Sequence, residues 1–454
     1  MTDTAQLGSE RQLSRELGAG HAAAIVVGTV IGSGIFLVPA EMMQAVGSAG
    51  LVYLAWMVGG VLTFFGALTY SELSALKPET GGEYVYLRDA YGPLAGFLNS
   101  WTWFAIAKPA SIATVTAGIV RTLGQFSTLS FLPERIAAGV PVTYEQAVAI
   151  GCTLLISGLN YIGIRKAGDF QLVFTLLKVA MICGIVAVGF SYARGSFAHF
   201  STRFEGAQGG VAGFVAALVA ALWAYDGWND LTMVSGEVRR PERNLPIGLI
   251  GGVALLIGLY MAVNAAVQYV MPAAALAASK RPAAEAVEAV LGTWGGAALS
   301  AGIAFSMLVT LNGTVMSGAR PAFAMARDGY FFKGLAEVHP RFRTPSTAIV
   351  VQAVMSILLL LLAGTFKQLF SLSIFSEWLI YMAAASTVFV FRSRGAAGPY
   401  RMWGYPVVPA LFIAASGVLL YYTFLDNVRN SLAGTLIILA GIPVFYFFAG
   451  RKRG

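Results

Sequence analysis

Two short runs in this chain are chemically out of place. Residues 27–36 read V-G-T-V-I-G-S-G-I-F, with Gly28, Gly32 and Gly34 embedded between aliphatic side chains. Three glycines in seven residues cost a helix about 2–3 kcal/mol relative to alanine. One reading is a small-residue face on which two membrane helices pack closely. The other is an unwound helix, in which a break at 32–34 frees the N–H groups of Ser33, Gly34 and Ile35. Free amides at the positive end of a half-helix suit a carboxylate. The second run, 222–231, reads L-W-A-Y-D-G-W-N-D-L and sets Asp226, Gly227 and Asn229 in the middle of an apolar segment. Open backbone groups at that depth are tolerated only where they line a cavity or meet a ligand. An ionisable residue there marks a functional site. A carboxylate would meet the amides of the first break. An ammonium would meet carbonyls around Ile31 in the first and Trp223, Ala224 and Asp226 in the second. Both ends of a zwitterion are then served, so an amino acid is the favoured ligand.

A third residue belongs with these. Lys178 lies in F-T-L-L-K-V-A-M, with about ten apolar residues on either side. A lysine at a helix centre costs about 2.5–3.5 kcal/mol on insertion scales, so it needs acceptors. If it released its proton during a cycle, the protein would be a proton symporter. Lys108, in A-K-P-A-S, reads as structural, and Glu72 and Glu377 read as interfacial or helix-packing groups near segment ends.

The elements that must hold these residues follow from composition. Of 454 residues, 57% are hydrophobic and 11% charged, against about 25% charged in soluble domains. A secreted disulfide scaffold, a nucleic-acid-binding module and a disordered chain are excluded. Apolar stretches of about 20 residues, the length that spans a bilayer, recur at 18–46, 50–76, 92–123, 143–163 and 168–192. A second set lies at 211–235, 247–270, 295–325, 346–363 and 368–391, and two more at 407–424 and 432–450. The expectation is an all-α integral membrane protein of twelve spans, with both termini on one side. Placing the N-terminus in the cytoplasm puts 19 of the 30 Lys and Arg residues on that side, 8 outside and 3 within spans, as the positive-inside rule requires. The +8 net charge is therefore read as topology.

The stretch 77–91 reads as a polar turn and an amphipathic piece at the inner interface. The alanine-rich stretch 272–294 reads as a short outer surface helix. Cys152 and Cys183 fall in apolar stretches, which argues against a disulfide or a zinc site. No cleavable signal pattern is present, and neither a metal nor a cofactor is called for. Five spans followed by five more, each set opening with a broken helix, point to an inverted-repeat transporter with its site at mid-membrane. The layout is a segment 1–17, a core 18–391 with repeats about 18–192 and 211–391, and two added helices over 407–450.

These residues resemble the amino acid–polyamine–organocation superfamily, and within it the L-type amino-acid transporter family. The resemblance rests on 27–36, on W-A-Y-D-G-W-N at 223–229, and on E-V-R-R-P-E-R-N-L-P at 237–246. L-N-G at 311–313 and R-D-G-Y-F at 327–331 also carry it. It runs over nearly all the spans and implies a LeuT-type fold with 5+5 inverted repeats, helices 1 and 6 unwound at mid-membrane, and alternating access. It further implies carboxylate binding at Ser33 and Gly34, a gating aromatic at Trp223 and substrate contact near Asn229. By the same resemblance, the Lys178 ammonium takes the place of the sodium ion of coupled relatives, among carbonyls of the first break and a hydroxyl of Ser306 or Thr310. The expected activity is sodium-independent exchange of neutral, and through Asp226 also cationic, L-amino acids across the cell membrane. The alternatives are a proton-coupled symporter of the same fold or a non-transporting amino-acid sensor. Family light chains bond to a heavy chain through a cysteine between the third and fourth spans. The stretch 124–142 has none, so no disulfide-linked heavy chain is expected. Hydrolase and protease motifs are absent, so an enzyme is disfavoured.

Overall fold

Apolar segments of this length, lacking water to satisfy their backbone, close their hydrogen bonds internally as helices. The computed structural model describes residues 12–124, 126–137, 142–362, 366–426 and 428–453. The first eleven residues of the expected N-terminal segment lie outside them, Arg11 included. Among the described residues there are helices and three isolated bridges but no strands. Seven helices are long and apolar enough to cross a membrane: Ala49–Leu76, Pro93–Leu123, Ile164–Phe190, Pro241–Val270, Thr293–Arg327, Val407–Leu425 and Val428–Lys452. An eighth span is a pair, Ala19–Val30 and Gly34–Val46, bent by 42° at its break. Gly210–Ala224 and Ser346–Leu362 are shorter apolar helices. Tyr144–Tyr161 and Phe366–Ser393 complete the set of long helices. Among the described residues, length and composition by themselves identify seven spans, or eight when the bent pair is counted as one.

The distribution of side chains is inverted relative to a soluble protein. Leu155, Leu176 and Leu436 are among the most exposed residues, whereas Asn160, Gln171, Lys178 and Asn312 are buried. Interior polar groups find one another. Asn312 donates to Gln171 at 2.7 Å and accepts from Asn160 at 2.9 Å, as buried polar groups must. Two π-helical turns, Trp103–Ala107 and Ile247–Gly251, interrupt long helices beside Pro109 and Pro246. Proline cannot donate to the helical ladder, and the wider turn absorbs the gap.

The end of the molecule that carries the N-terminal segment is closed. The amides of Glu16 and Leu17 donate to the Glu237 carbonyl at 3.0 Å, and the Arg239 amide to that of Leu17 at 2.8 Å. Arg320 grips the Glu237 carboxylate with two nitrogens at 2.9 and 3.1 Å, both side chains fully buried. The stretch 77–91 contains an amphipathic helix. Glu83–Tyr91 is a helix with Tyr84 and Tyr86 buried, driven under the second break. Glu83 accepts from Asn229 at 2.7 Å and Tyr84 donates to Asp328 at 2.7 Å. At the opposite end, 272–294 folds as two helices, Ala273–Ala278 and Pro282–Leu291. Glu72 pairs with Arg392 at 2.7 and 2.8 Å and accepts from the Met402 amide, so it packs helices together.

Candidate substrate-binding site

The first helix stops at Val30 and restarts at Gly34. The Gly32 amide turns back onto the Val30 carbonyl at 2.7 Å. Among the described residues, no backbone acceptor is paired with the amides of Ser33, Gly34 or Ile35. The opposite helix stops at Ala224 and restarts at Asp230. The turn between them requires Gly227, whose φ of 98° is costly for any residue with a Cβ. The two breaks face one another closely: a Cβ on Gly34 would lie 3.1 Å from Ala224.

Between them lies a cavity of about 120 Å³, well beyond the 10–15 Å³ or so that one water needs. Thr29, Ser33, Gly34, Trp223, Asp226 and Glu377 are part of its wall, together with Lys108, Asp230 and Tyr381. A larger cavity of about 470 Å³ shares Ser33, Trp223 and Met307 with it and runs to Lys280 and Arg281, away from the N-terminal segment. Trp223, with Ser33 and Met307, therefore lines both cavities.

The open carbonyls of the first break are taken up by a cation. Lys178 Nζ donates to the Gly28 and Ile31 carbonyls at 2.7 Å each and to Thr310 Oγ1 at 3.2 Å. An ammonium has three protons, so every donor is satisfied. Ser306 and Thr310 add their own hydrogen bonds to the Ile31 carbonyl at 3.0 and 3.1 Å. Ile31 thus differs from the expectation that its carbonyl meets a substrate ammonium: three donors already occupy it. A residue that the sequence did not point to holds the two breaks together. Tyr260 Oη reaches the Val30 carbonyl at 3.2 Å and the Ala224 carbonyl at 2.9 Å.

The second break is lined with acids instead. Lys108 forms a buried ion pair with Asp230, whose other oxygen accepts from Ser317 at 2.8 Å. The same ammonium lies 4.9 Å from the Trp103 ring centre. Lys108 is thus part of the cavity wall and also a structural pair. Tyr381 donates to Asp226 at 3.0 Å and reaches Asn229 Oδ1 at 3.1 Å. Asn229, expected near the substrate, is not among the wall residues: its amide donates to Glu83 at 2.7 Å behind the break. Ile35 is likewise buried outside the wall. Glu377 differs most from its reading as an interfacial group. It lines the same chamber as Asp226, one helical turn before Tyr381. Burial pushes the Glu83 carboxyl up to about 7, with Asn229 opposing the shift.

A helical membrane protein with two facing helix breaks around a small polar chamber has the architecture of a LeuT-fold transporter. The amino acid permease family model matches residues 17–448, so the chain belongs to that family and is a membrane transporter, not an enzyme. The serine/threonine exchanger SteT of Bacillus subtilis (strain 168) is 33% identical over 445 residues, 97% of this chain and 98% of that one. The b(0,+)-type amino acid transporter 1 of Homo sapiens is 31% identical over 97% of this chain and 89% of its own length. The Asc-type amino acid transporter 1 of Mus musculus is 29% identical over 96% of this chain and 82% of its own. These matches agree with the superfamily that the motifs indicated.

Proposed function

We propose that the protein is a sodium-independent amino-acid exchanger working by alternating access. The observation that carries this reading is Lys178: a tethered ammonium saturates the open carbonyls where a free cation would otherwise be required. The substrate carboxylate would take the amides of Ser33 and Gly34. Its ammonium would take the remaining lone pairs of the Trp223 and Ala224 carbonyls and the side of Asp226. With a permanent charge built in, no ion gradient is linked to loading, and each substrate leaves in return for another. The exchange and transport named for the relatives support the same activity here, as does the near full-length match to a bacterial exchanger. That match also favours the bacterial inner membrane, action without a disulfide-linked heavy chain, and amino acids as the ligands. Both termini would be cytoplasmic, with residues 18–391 as the moving core, 407–450 as appended helices, and Trp223 as the outer gate of an outward-facing state.

Counterflow into proteoliposomes tests the proposal. Labelled alanine should enter vesicles preloaded with alanine, enter empty vesicles far more slowly, and be unaffected when choline replaces sodium. Abolition of counterflow by choline would overturn the assignment of Lys178.

A further inference from the structure

The inner chamber is small, and its walls are unequal. A dry cavity of about 150 Å³ holds one benzene molecule, and this chamber has about 120 Å³. Alanine has as many non-hydrogen atoms as benzene, serine one more and threonine two more. Leucine has half as many again, and phenylalanine and arginine twice as many. Much of the wall has no room to give. The two breaks approach so closely that a Cβ on Gly34 would lie 3.1 Å from Ala224. Trp103 is fully buried, with the Lys108 ammonium 4.9 Å and the Tyr381 ring centre 6.2 Å from the centre of its ring. Tyr381 is itself held by Asp226 and Asn229. Met307 is different. It is buried, lines the chamber and the 470 Å³ cavity alike, and shares an apolar cluster with Ile112 and Val115. A thioether on an unbranched stem makes a soft wall that repacks easily. The larger cavity beyond it is no place for a cation: the charged residues of its wall are Arg121, Lys280 and Arg281, against Glu41.

We infer that the chamber selects small neutral amino acids, of the size of alanine, serine and threonine, and that Met307 sets the ceiling. This deepens the exchanger reading and rests on it. The carboxylate at the amides of Ser33 and Gly34 and the ammonium at the carbonyls of Trp223 and Ala224 pin the α-carbon between the breaks. A side chain longer than that of threonine then has space only across the wall that Met307 shares with the larger cavity. Crossing it pushes Met307 out of its place beside Ile112 and Val115, and overfilling a packed site is destabilising. A lysine or arginine that crossed would in addition meet like charge on Arg121, Lys280 and Arg281. Size rejects the large neutral side chains, and repulsion adds to size for the cationic ones.

The experiment is competition against labelled alanine counterflow in proteoliposomes of the full chain. Serine and threonine should compete within about threefold of alanine, whereas leucine, phenylalanine and arginine should require at least about tenfold more. Met307→Ala opens the shared wall and should improve leucine relative to alanine about tenfold or more. Arginine should stay excluded from that variant, because the cations beyond the wall remain. Met307→Leu, of nearly the same volume, should retain the preference for alanine. Met307→Val gives a milder form of the same opening if Met307→Ala fails to insert. Leucine or arginine competing as well as alanine in the unaltered protein would overturn the inference alone. An unchanged ratio of leucine to alanine in both Met307→Ala and Met307→Val would do the same for the role of Met307. Absence of alanine counterflow would overturn the exchanger reading beneath it.

Discussion

The two helix breaks solve one problem in opposite ways. At the first, carbonyls left open by the interrupted ladder converge on Lys178, with one positive charge facing only neutral dipoles. At the second, Lys108 meets a formal charge on Asp230, and two further carboxyls stand next to it. The carbonyls of the first break are therefore satisfied before any substrate arrives. The second keeps two carboxyls beyond that ion pair in the chamber wall. On the proposed reading, the amides of the first break would hold the common end of an amino acid and the acids of the second would face its side chain.

The sharpest way to break this comparison is Lys178→Ala. It removes the charged donor that the Gly28 and Ile31 carbonyls share, leaving them to the hydroxyls of Ser306 and Thr310, and counterflow should drop about a hundredfold or more. Recovery of Lys178→Ala by added sodium would sharpen the view of this place as a cation site. Next in size is Lys108→Met, which strands Asp230 without its partner. Breaking a buried pair costs about 3–5 kcal/mol, read as thermal unfolding in detergent. Here the two halves should part company. Lys108→Met combined with Asp230→Asn removes both charges and should recover at least about half the loss in a double-mutant cycle. No charge-removing partner substitution can do that for Lys178, since its acceptors are two backbone carbonyls and the neutral hydroxyl of Thr310.

Tyr260→Phe tests the bridge between the breaks. Loss of one hydroxyl that reaches both Val30 and Ala224 should weaken substrate affinity by roughly 1 kcal/mol, about fivefold, in a binding measurement. The smallest effect is a pH dependence behind the second break. Because burial raises Glu83 in the folded protein to about 7, folding favours its protonated form. Stability is fully present below the ordinary glutamate range and is lost as pH rises toward 7. Glu83→Gln should flatten that decline, seen as a melting temperature that no longer falls between about pH 5 and 7. An unchanged slope would show that Glu83 keeps its charge through its bond to Asn229.

Both breaks were legible in the chain because glycine, aspartate and asparagine violate the composition around them. Lys178 was legible for the same reason. Glu377 was not: a single acid four residues before Tyr381 in the helix Phe366–Ser393, it resembles any helix-packing or interfacial acid until it is seen to line the chamber with Asp226. Glu83 was hidden within a segment whose charges suggest a surface. Tyr260 carried no signal at all, because an aromatic residue in a membrane helix is ordinary and only its reach to two remote carbonyls makes it matter.

Composition and local pattern alone thus determined the solvent of this protein, its helical character and the places where helices come apart. Those properties depend on neighbours a few residues away, through transfer free energy and the backbone preferences of glycine. Which acid meets which, and whether a carbonyl is free or already taken, was decided only in the folded molecule. Hydrogen bonds between segments about 80 to 280 residues apart act over less than 3.5 Å, and no spacing along the chain records them.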